Sequence, residues 1–346
     1  MQGKIITTIE DIAREAKVSI STVSRVINNS KAVSPQLKDR VNEVIQKYNF
    51  KPNSLARGLV SKRTHTLGII IPDISNTIFG SLTKGINSIC QKMGYTLVVC
   101  ESGGNQEKEI ELLEVLSDKK IDGVLFAGVN VNSVVISEMK NKDYPIVLVT
   151  REAVNNEGNL HTVIHDNEGA VYDAMQFLIE HGHKQIAFIS GSKDDYSSGQ
   201  KRLEGYLRAL RENHLKEQDS YIQYGNFSFD SGYKCMQTIY EENEELPTAV
   251  MISSDLMAIG AITFLKTTNL QVPEDISIMG FDDMDLASYF TPKLSTVRIS
   301  YFDEGVKAAK TIMKLIAKKA SPPSIQYIPH KIIRRNSVIR LNSMHK

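Results

Sequence analysis

Residues 8–28, TIEDIAREAKVSISTVSRVIN, constrain this chain more than any other stretch. Their spacing predicts two short helices joined by a tight turn. Thr8 caps the first, with Asp11 three residues on answering its backbone N–H. Ser19 caps the second, with Thr22 in its first turn. Ile12, Ala13 and Ala16 form one apolar face, and Val18, Val23, Val26 and Ile27 form the face opposite. The outward positions of the second helix are Ile20, Ser21, Ser24, Arg25 and Asn28. These are short or hydrogen-bonding side chains, which suits a helix lying in the major groove of DNA. A plain helical hairpin has the same period, but it lacks the third helix that this chain supplies. Ser34-Pro35 starts that helix, with Leu37, Val41, Val44, Ile45 and Tyr48 at helical spacing to close a small core.

Charge points the same way. Residues 1–65 hold 12 Lys and Arg against 5 Asp and Glu, whereas the rest of the chain holds 29 against 35. A basic end on an acidic body fits a phosphate-binding head. At 346 residues there is room for two or three domains. No apolar run reaches the length of about 18 residues that a membrane span needs. The first residues, MQGKIITT, lack the apolar core of a secretion signal, so the expected compartment is the cytosol. Cys90, Cys100 and Cys235 are scattered, with neither metal spacing nor a disulfide frame.

From Thr66 the period changes. β-rich runs at 67–72, 95–100, 123–126, 145–150, 162–165, 186–190, 249–253 and 277–281 alternate with helical patterns at 79–93, 106–118, 168–182, 198–213, 229–243 and 255–267. Repeated β–α units mean parallel sheets covered by helices, and about 280 residues make two of them. Ligands of such sheets bind beyond the carboxyl ends of the strands, so two facing sheets hold a ligand between them. Enzyme signatures are missing: there is no G-x-G-x-x-G, P-loop or H-E-x-x-H sequence, and the eight histidines form no ligand array. His181-Gly182-His183 reads as a helix end. Asp282 and Asp283, adjacent on a strand, point to opposite faces and do not share a site.

The motifs Thr-Ile-x-Asp-Ile-Ala, Val-Ser-x-x-Thr-Val-Ser-Arg-Val-Ile-Asn, and Pro52-Asn53-Ser54-Leu55-Ala56-Arg57-Gly58-Leu59 together resemble the start of the lactose-repressor (LacI/GalR) family of bacterial transcription regulators. Pro72–Asn76, Ile121-Asp122-Gly123, Arg202-Leu203-Glu204-Gly205-Tyr206 and Met279-Gly280-Phe281-Asp282-Asp283 extend the resemblance over the body. Lys17 departs from the family's usual turn glycine, so a non-glycine residue at positive φ is expected there. The resemblance implies a small all-α helix-turn-helix head on an α/β body of two doubly wound parallel-sheet lobes, similar to periplasmic binding proteins. The expected division is a head at 1–52, a hinge helix and linker at 53–65, an N-terminal lobe from 66–164 with 295–323, and a C-terminal lobe from 165–294 with 324–346. The chain is expected to cross between lobes near His165, Leu294 and Ser324.

Site residues follow from the same resemblance. DNA contacts are expected from Thr8, Ser19, Ile20, Ser21, Thr22, Ser24, Arg25 and Asn28, with Arg25 and Ser21 reading bases. Asn53, Ala56, Arg57 and Leu59 are expected to act in the hinge, with Leu59 wedged into the minor groove. An effector is expected to meet Asn76, Phe79, Arg151, Arg202, Phe227, Ser254 and Asp282. Each has an alternative: Asp282 as a helix cap, Arg202 paired with Glu204 or Glu180, Phe227 as core. Ser254 and Ile299 stand where the family usually has amides, which removes hydrogen-bonding capacity. No cofactor or metal is expected.

The implied function is that of a homodimeric repressor on a near-palindromic operator, controlled by a sugar or sugar derivative. The alternative effector is a serine-phosphorylated HPr-like phosphocarrier, as in the catabolite-control branch of the family. Lys307, Lys310 and Lys314 would then line one helix face. A sugar-binding module without DNA activity is a third reading, which the basic head opposes. The dimer interface is expected on helices 79–93 and 255–267, which offer Ile78, Leu82, Ile86 and Ile89 and Met257, Ile259, Ile262 and Leu265; much of each stripe must also cover its own sheet, so only part of it is expected at the interface. No heptad tail follows Arg340 to make a tetramer.

Overall fold

The computed structural model describes residues 8–28, 33–50, 63–319 and 322–341. It divides into a unit at 1–64 and a unit at 65–346.

In the first unit, α1 (Ile9–Glu15), α2 (Ile20–Asn28) and α3 (Pro35–Lys47) pack around Ile12, Ala13, Ala16, Val23, Val26, Val41 and Val44. The expected capping box is present: Asp11 N–H donates to Thr8 Oγ1 at 3.3 Å, and Thr8 N–H donates back to the Asp11 carboxylate at 3.0 Å. Lys17 turns the chain at φ +51°, as its position in the turn demanded. Glu15 joins α1 to α3, accepting from Lys47 at 2.6 Å and from the Tyr48 hydroxyl at 2.5 Å.

The second unit contains two six-stranded sheets. The first has the order β11-β5-β4-β3-β1-β2, from β1 (Thr66–Ile71), β2 (Thr96–Glu101), β3 (Gly123–Phe126), β4 (Ile146–Val149), β5 (His161–His165) and β11 (Ile325–Ile328). The second has the order β12-β10-β9-β8-β6-β7, from β6 (Ile186–Ser190), β7 (Ile222–Tyr224), β8 (Ala249–Ile252), β9 (Ser277–Asp282), β10 (Ser295–Ile299) and β12 (His330–Ile333). The first sheet is parallel throughout, and in the second only β10 and β12 pair antiparallel.

The lobe boundaries differ from expectation. Strand β10 lies in the second sheet, so the second crossing is at Ser300 and not near Leu294. Strand β11 lies in the first sheet, so the third crossing is at Pro329 and not near Ser324. The first crossing follows His165. Polar residues hid β10: Ser295 and Thr296 are fully buried, the Ser295 hydroxyl accepting from Arg335 N–H and the Thr296 hydroxyl donating to Asp255.

The helices of this unit begin with α4 (Thr77–Lys92) and end with α12 (Tyr301–Ile316). Between them come α5 (Gln106–Asp118), α6 (Ser133–Lys140), α7 (Asn167–Glu180), α8 (Lys201–Glu212), α9 (Phe229–Glu242), α10 (Asp255–Leu265) and α11 (Asp285–Tyr289). Helix α4 packs against α12 on the first sheet. Glycines set their closeness: a Cβ on Gly85 would lie 2.1 Å from the Phe302 carbonyl oxygen, and one on Gly305 would lie 2.2 Å from that of Leu82. The apolar stripe of α4 is spent on this packing. Leu82, Ile86 and Ile89 are buried inside the subunit, as are Met257, Ile259, Ile262 and Leu265 of α10. Ile78 alone of the eight expected interface residues is half-buried. The other seven are core positions. Among the described residues no helix is long and apolar enough to cross a membrane.

Candidate functional site

A cleft of about 490 Å³ opens between the carboxyl ends of the two sheets. All seven residues expected to meet an effector line it: Asn76, Phe79, Arg151, Arg202, Phe227, Ser254 and Asp282. Their roles differ in detail. Asn76 caps α4, its side-chain oxygen accepting from Ile78 N–H at 3.2 Å, and Phe79 is buried one turn on. Ser254 caps α10, accepting from Met257 N–H at 3.2 Å. Phe227 sits at φ +67° with its ring on the backbone of Gly191, where a Cβ would lie 2.1 Å from the ring.

The two arginines are buried and engaged. Arg151 follows β4 and bridges the lobes. Its Nε donates to the Gly128 carbonyl at 3.2 Å, Nη1 to the Ser198 hydroxyl, and Nη2 lies 3.5 Å from the Asp195 carboxylate. Asp195 caps a π-helical turn at Tyr196–Gln200, accepting from Ser198 N–H at 2.7 Å. The same turn offers Ser197 Oγ to Glu152 N–H at 3.0 Å and the Tyr196 hydroxyl to Asn155 N–H at 3.4 Å. Arg202, on α8, lies with its guanidinium carbon 3.6 Å from the Phe281 ring centre. It donates to Asn167 Oδ1 at 2.8 Å and to the Ser253 carbonyl at 2.6 Å, while Glu204 pairs with Lys201. The surface-pair alternative for Arg202 therefore fails.

Asp282 and Asp283 part as expected. Asp282 is buried at the cleft wall and accepts from the Tyr301 hydroxyl at 2.6 Å. Asp283 binds Arg298 and Arg335, each at 2.5 Å. Burial pushes the Asp282 carboxyl above its usual range, against the pull of Arg202, the Tyr301 hydroxyl and His165. Burial likewise drives Tyr301 well above the usual phenol range, with Asp282 adding to it. The helix after Asp282 starts from Met284 without a side-chain cap, so Asp282 is not capping it. Sequence reasoning missed Thr150, His165, Asp195, Ser198 and Tyr301, which also line the cleft. Only His165, noted as a crossing point, left a signal. Among the described residues no cluster of His, Cys, Asp and Glu could hold a metal ion.

On α2 the outward set is exposed or half-buried: Ser19, Ile20, Ser21 and Arg25 are exposed, and Thr22 and Ser24 half-buried. Ser19 caps the helix, accepting from Thr22 N–H at 3.1 Å. Asn28 is the last helical residue. Asn53, Ala56, Arg57 and Leu59 lie outside the described residues.

The head matches the model of bacterial regulatory proteins of the lacI family over residues 8–53, and residues 175–338 match a periplasmic binding protein-like domain. Catabolite control protein A of Priestia megaterium is 39% identical over 95% of this chain and 98% of its own length. The chain belongs to the LacI family. Like its relatives in that family, it is a DNA-binding transcription regulator and not an enzyme. A lac repressor dimer solved on operator DNA with an anti-inducer shares the LacI-family fold, with TM-score 0.86 at 24% identity over 96% of this chain and 99% of that one. A CelR–cellobiose complex gives TM-score 0.74 at 26% identity, covering 96% of this chain and 99% of that one.

Proposed function

We propose that this regulator is a cytosolic homodimeric repressor that reads a near-palindromic operator through residues 20–28 and answers to a neutral, polyhydroxylated ligand in the interlobe cleft. The observation that carries the ligand class is the charge balance of the cleft. Asp73, Asp195 and Asp282 line it against Arg151 and Arg202, and both guanidinium groups already have partners. A phosphate would have to displace those partners and then sit beside buried carboxylates, at a high desolvation cost. Hydroxyl groups both donate and accept, so they can join such a network without breaking it. The cellobiose held by CelR supports a sugar.

The test is a thermal-shift screen of the full chain, with and without DNA selected from random duplexes. Neutral mono- and disaccharides should stabilise it, and their phosphates should not. Stabilisation by phosphorylated sugars alone would sink this ligand class. A second reading rests on α12 and on the likeness to catabolite control protein A: Lys310 and Lys314 are exposed on one face, a site for a phosphorylated HPr-like protein. Lys307 contributes less, since its ammonium donates to the Tyr327 carbonyl at 3.2 Å. Binding of phosphorylated but not unphosphorylated HPr, lost in Lys310→Glu, would favour it.

A further inference from the structure

Thr150, immediately after β4, is a β-branched residue at φ +60°. Such a conformation persists only where the surroundings hold it. Thr150 lines the cleft, is 3% exposed, and its hydroxyl has no hydrogen-bond partner. Its backbone N–H is shared between the Val163 carbonyl at 3.1 Å and the carboxylate of Glu304 at 2.8 Å. Glu304 is fully buried in the first turn of α12, four residues past the second crossing. Its other oxygen lies 3.3 Å from His165 Nδ1, at the first crossing.

From His165 the chain of contacts enters the C-terminal lobe. His165 Nε2 lies 3.0 Å from Asn167 Oδ1 and 3.3 Å from Arg202 Nη2, and Arg202 reaches the Ser253 carbonyl. Thr150, Glu304 and His165 belong to one lobe, Asn167, Arg202 and Ser253 to the other. Three of the six, Thr150, Asn167 and Ser253, each keep one buried polar atom without a partner.

We propose that Glu304 is a positioning residue of the ligand response. It holds Thr150, a buried residue of the cleft lining, in its strained turn, and it passes a ligand's engagement of that lining through His165 to the first crossing and to Arg202. A carboxylate suits the task because its charge-assisted bond to an N–H is stronger than a neutral one. The proposal rests on the reading of the cleft as the ligand site, but its test uses no ligand, so a failed sugar screen and a failed Glu304 test are separate results.

The experiment is hydrogen exchange by mass spectrometry on the full chain, comparing Glu304→Gln and Glu304→Leu in the wild-type and Thr150→Gly backgrounds. Glycine adopts positive φ without being held. In the wild-type background, exchange at 150–152 and 195–198 should rise about threefold for Glu304→Gln and about tenfold for Glu304→Leu, with β8 and β9 unchanged. In the Thr150→Gly background both effects should fall within about twofold. Equal factors in the two backgrounds, no change at all, or a rise spread evenly over β8 and β9 would overturn the proposal. Should Glu304→Leu not fold, Glu304→Gln decides alone by the same comparison.

Discussion

The Tyr301 hydroxyl donates a 2.6 Å hydrogen bond to Asp282 across the second crossing, joining the first residue of α12 in one lobe to the last residue of β9 in the other. Both groups are buried, so neither can exchange this partner for water at little cost. Tyr301→Phe should destabilise the protein by about 1–3 kcal/mol near neutral pH. The loss should depend on pH. Asp282 holds its proton to higher pH in the fold than in the unfolded chain, mainly because it is buried. Stability from this group is therefore lost as pH rises above the unfolded value near 4 and through the folded one. Removing the hydroxyl pushes the folded value higher and steepens that loss. Urea midpoints at about pH 4 and pH 7.5 should separate wild type and variant more at the higher pH.

Asp255 should show the same sign more strongly. It is fully buried, accepts from the Thr296 hydroxyl at 2.6 Å and from Met284 N–H at 2.8 Å, and is driven well above the usual carboxylate range by burial and then by Asp282. Native protein thus keeps a proton that the unfolded chain gives up above about pH 4, and stability declines as pH rises through that window. Asp255→Asn should flatten the decline and leave stability at pH 7 within about 1 kcal/mol of wild type, since its amide oxygen still accepts and the Thr296 hydroxyl can turn to accept in its place. A variant with an unchanged pH slope would show that Asp255 is ionised in the fold.

Much of this architecture was legible because the apolar runs report it directly. The strands expected from 67–72 to 277–281 all lie within a residue or two of those found, since all but β2 are buried runs bounded by turn residues, and β2, a partly exposed edge strand, still carries a β-rich run. The failures have physical causes. Strands β10 and β11 carry Ser295, Thr296 and Gln326 in place of an apolar run, and their polar groups are satisfied by partners distant in sequence. The stripes on α4 and α10 were expected to cover their own sheets in part, but their sequence does not say how much, and the packing beneath them takes all but Ile78. The seven cleft residues came through family resemblance. Thr150, His165 and Glu304 could not, because the contact of His165 with Glu304 spans 139 residues and that of Thr150 with Glu304 spans 154.

Lys17 offers a test of local strain in the head. A side chain at φ +51° is disfavoured relative to glycine, and the turn it makes is closed by backbone bonds from Lys17 N–H to Arg14 and from Val18 N–H to Ala13. Lys17→Gly should relieve the strain and stabilise the head by about 0.5–1 kcal/mol, partly offset by the greater freedom of glycine in the unfolded chain. The check is the melting of the head signal within the full chain. A lower melting temperature would mean that the lysine side chain contributes more than its backbone costs.

Arg25 is the residue on which the DNA reading is most exposed to failure. It is an exposed cation in the last turn of α2, on the outward side from the buried Val23 and Val26. A guanidinium there can donate two hydrogen bonds to the acceptor edge of one guanine, which a lysine at the same position can satisfy only as a point charge. With an operator selected from random duplexes, Arg25→Ala should lose about 1–3 kcal/mol of discrimination at one base pair in each half-site. Binding to unrelated DNA should weaken only slightly, and the salt dependence should change by no more than about one phosphate contact per subunit. Arg25→Lys should keep the salt slope and still lose the base preference. If Arg25→Ala weakens every sequence equally and lowers the salt slope, Arg25 holds a phosphate, and base reading falls to Ser21 and Ile20, whose exposed side chains begin the same helix.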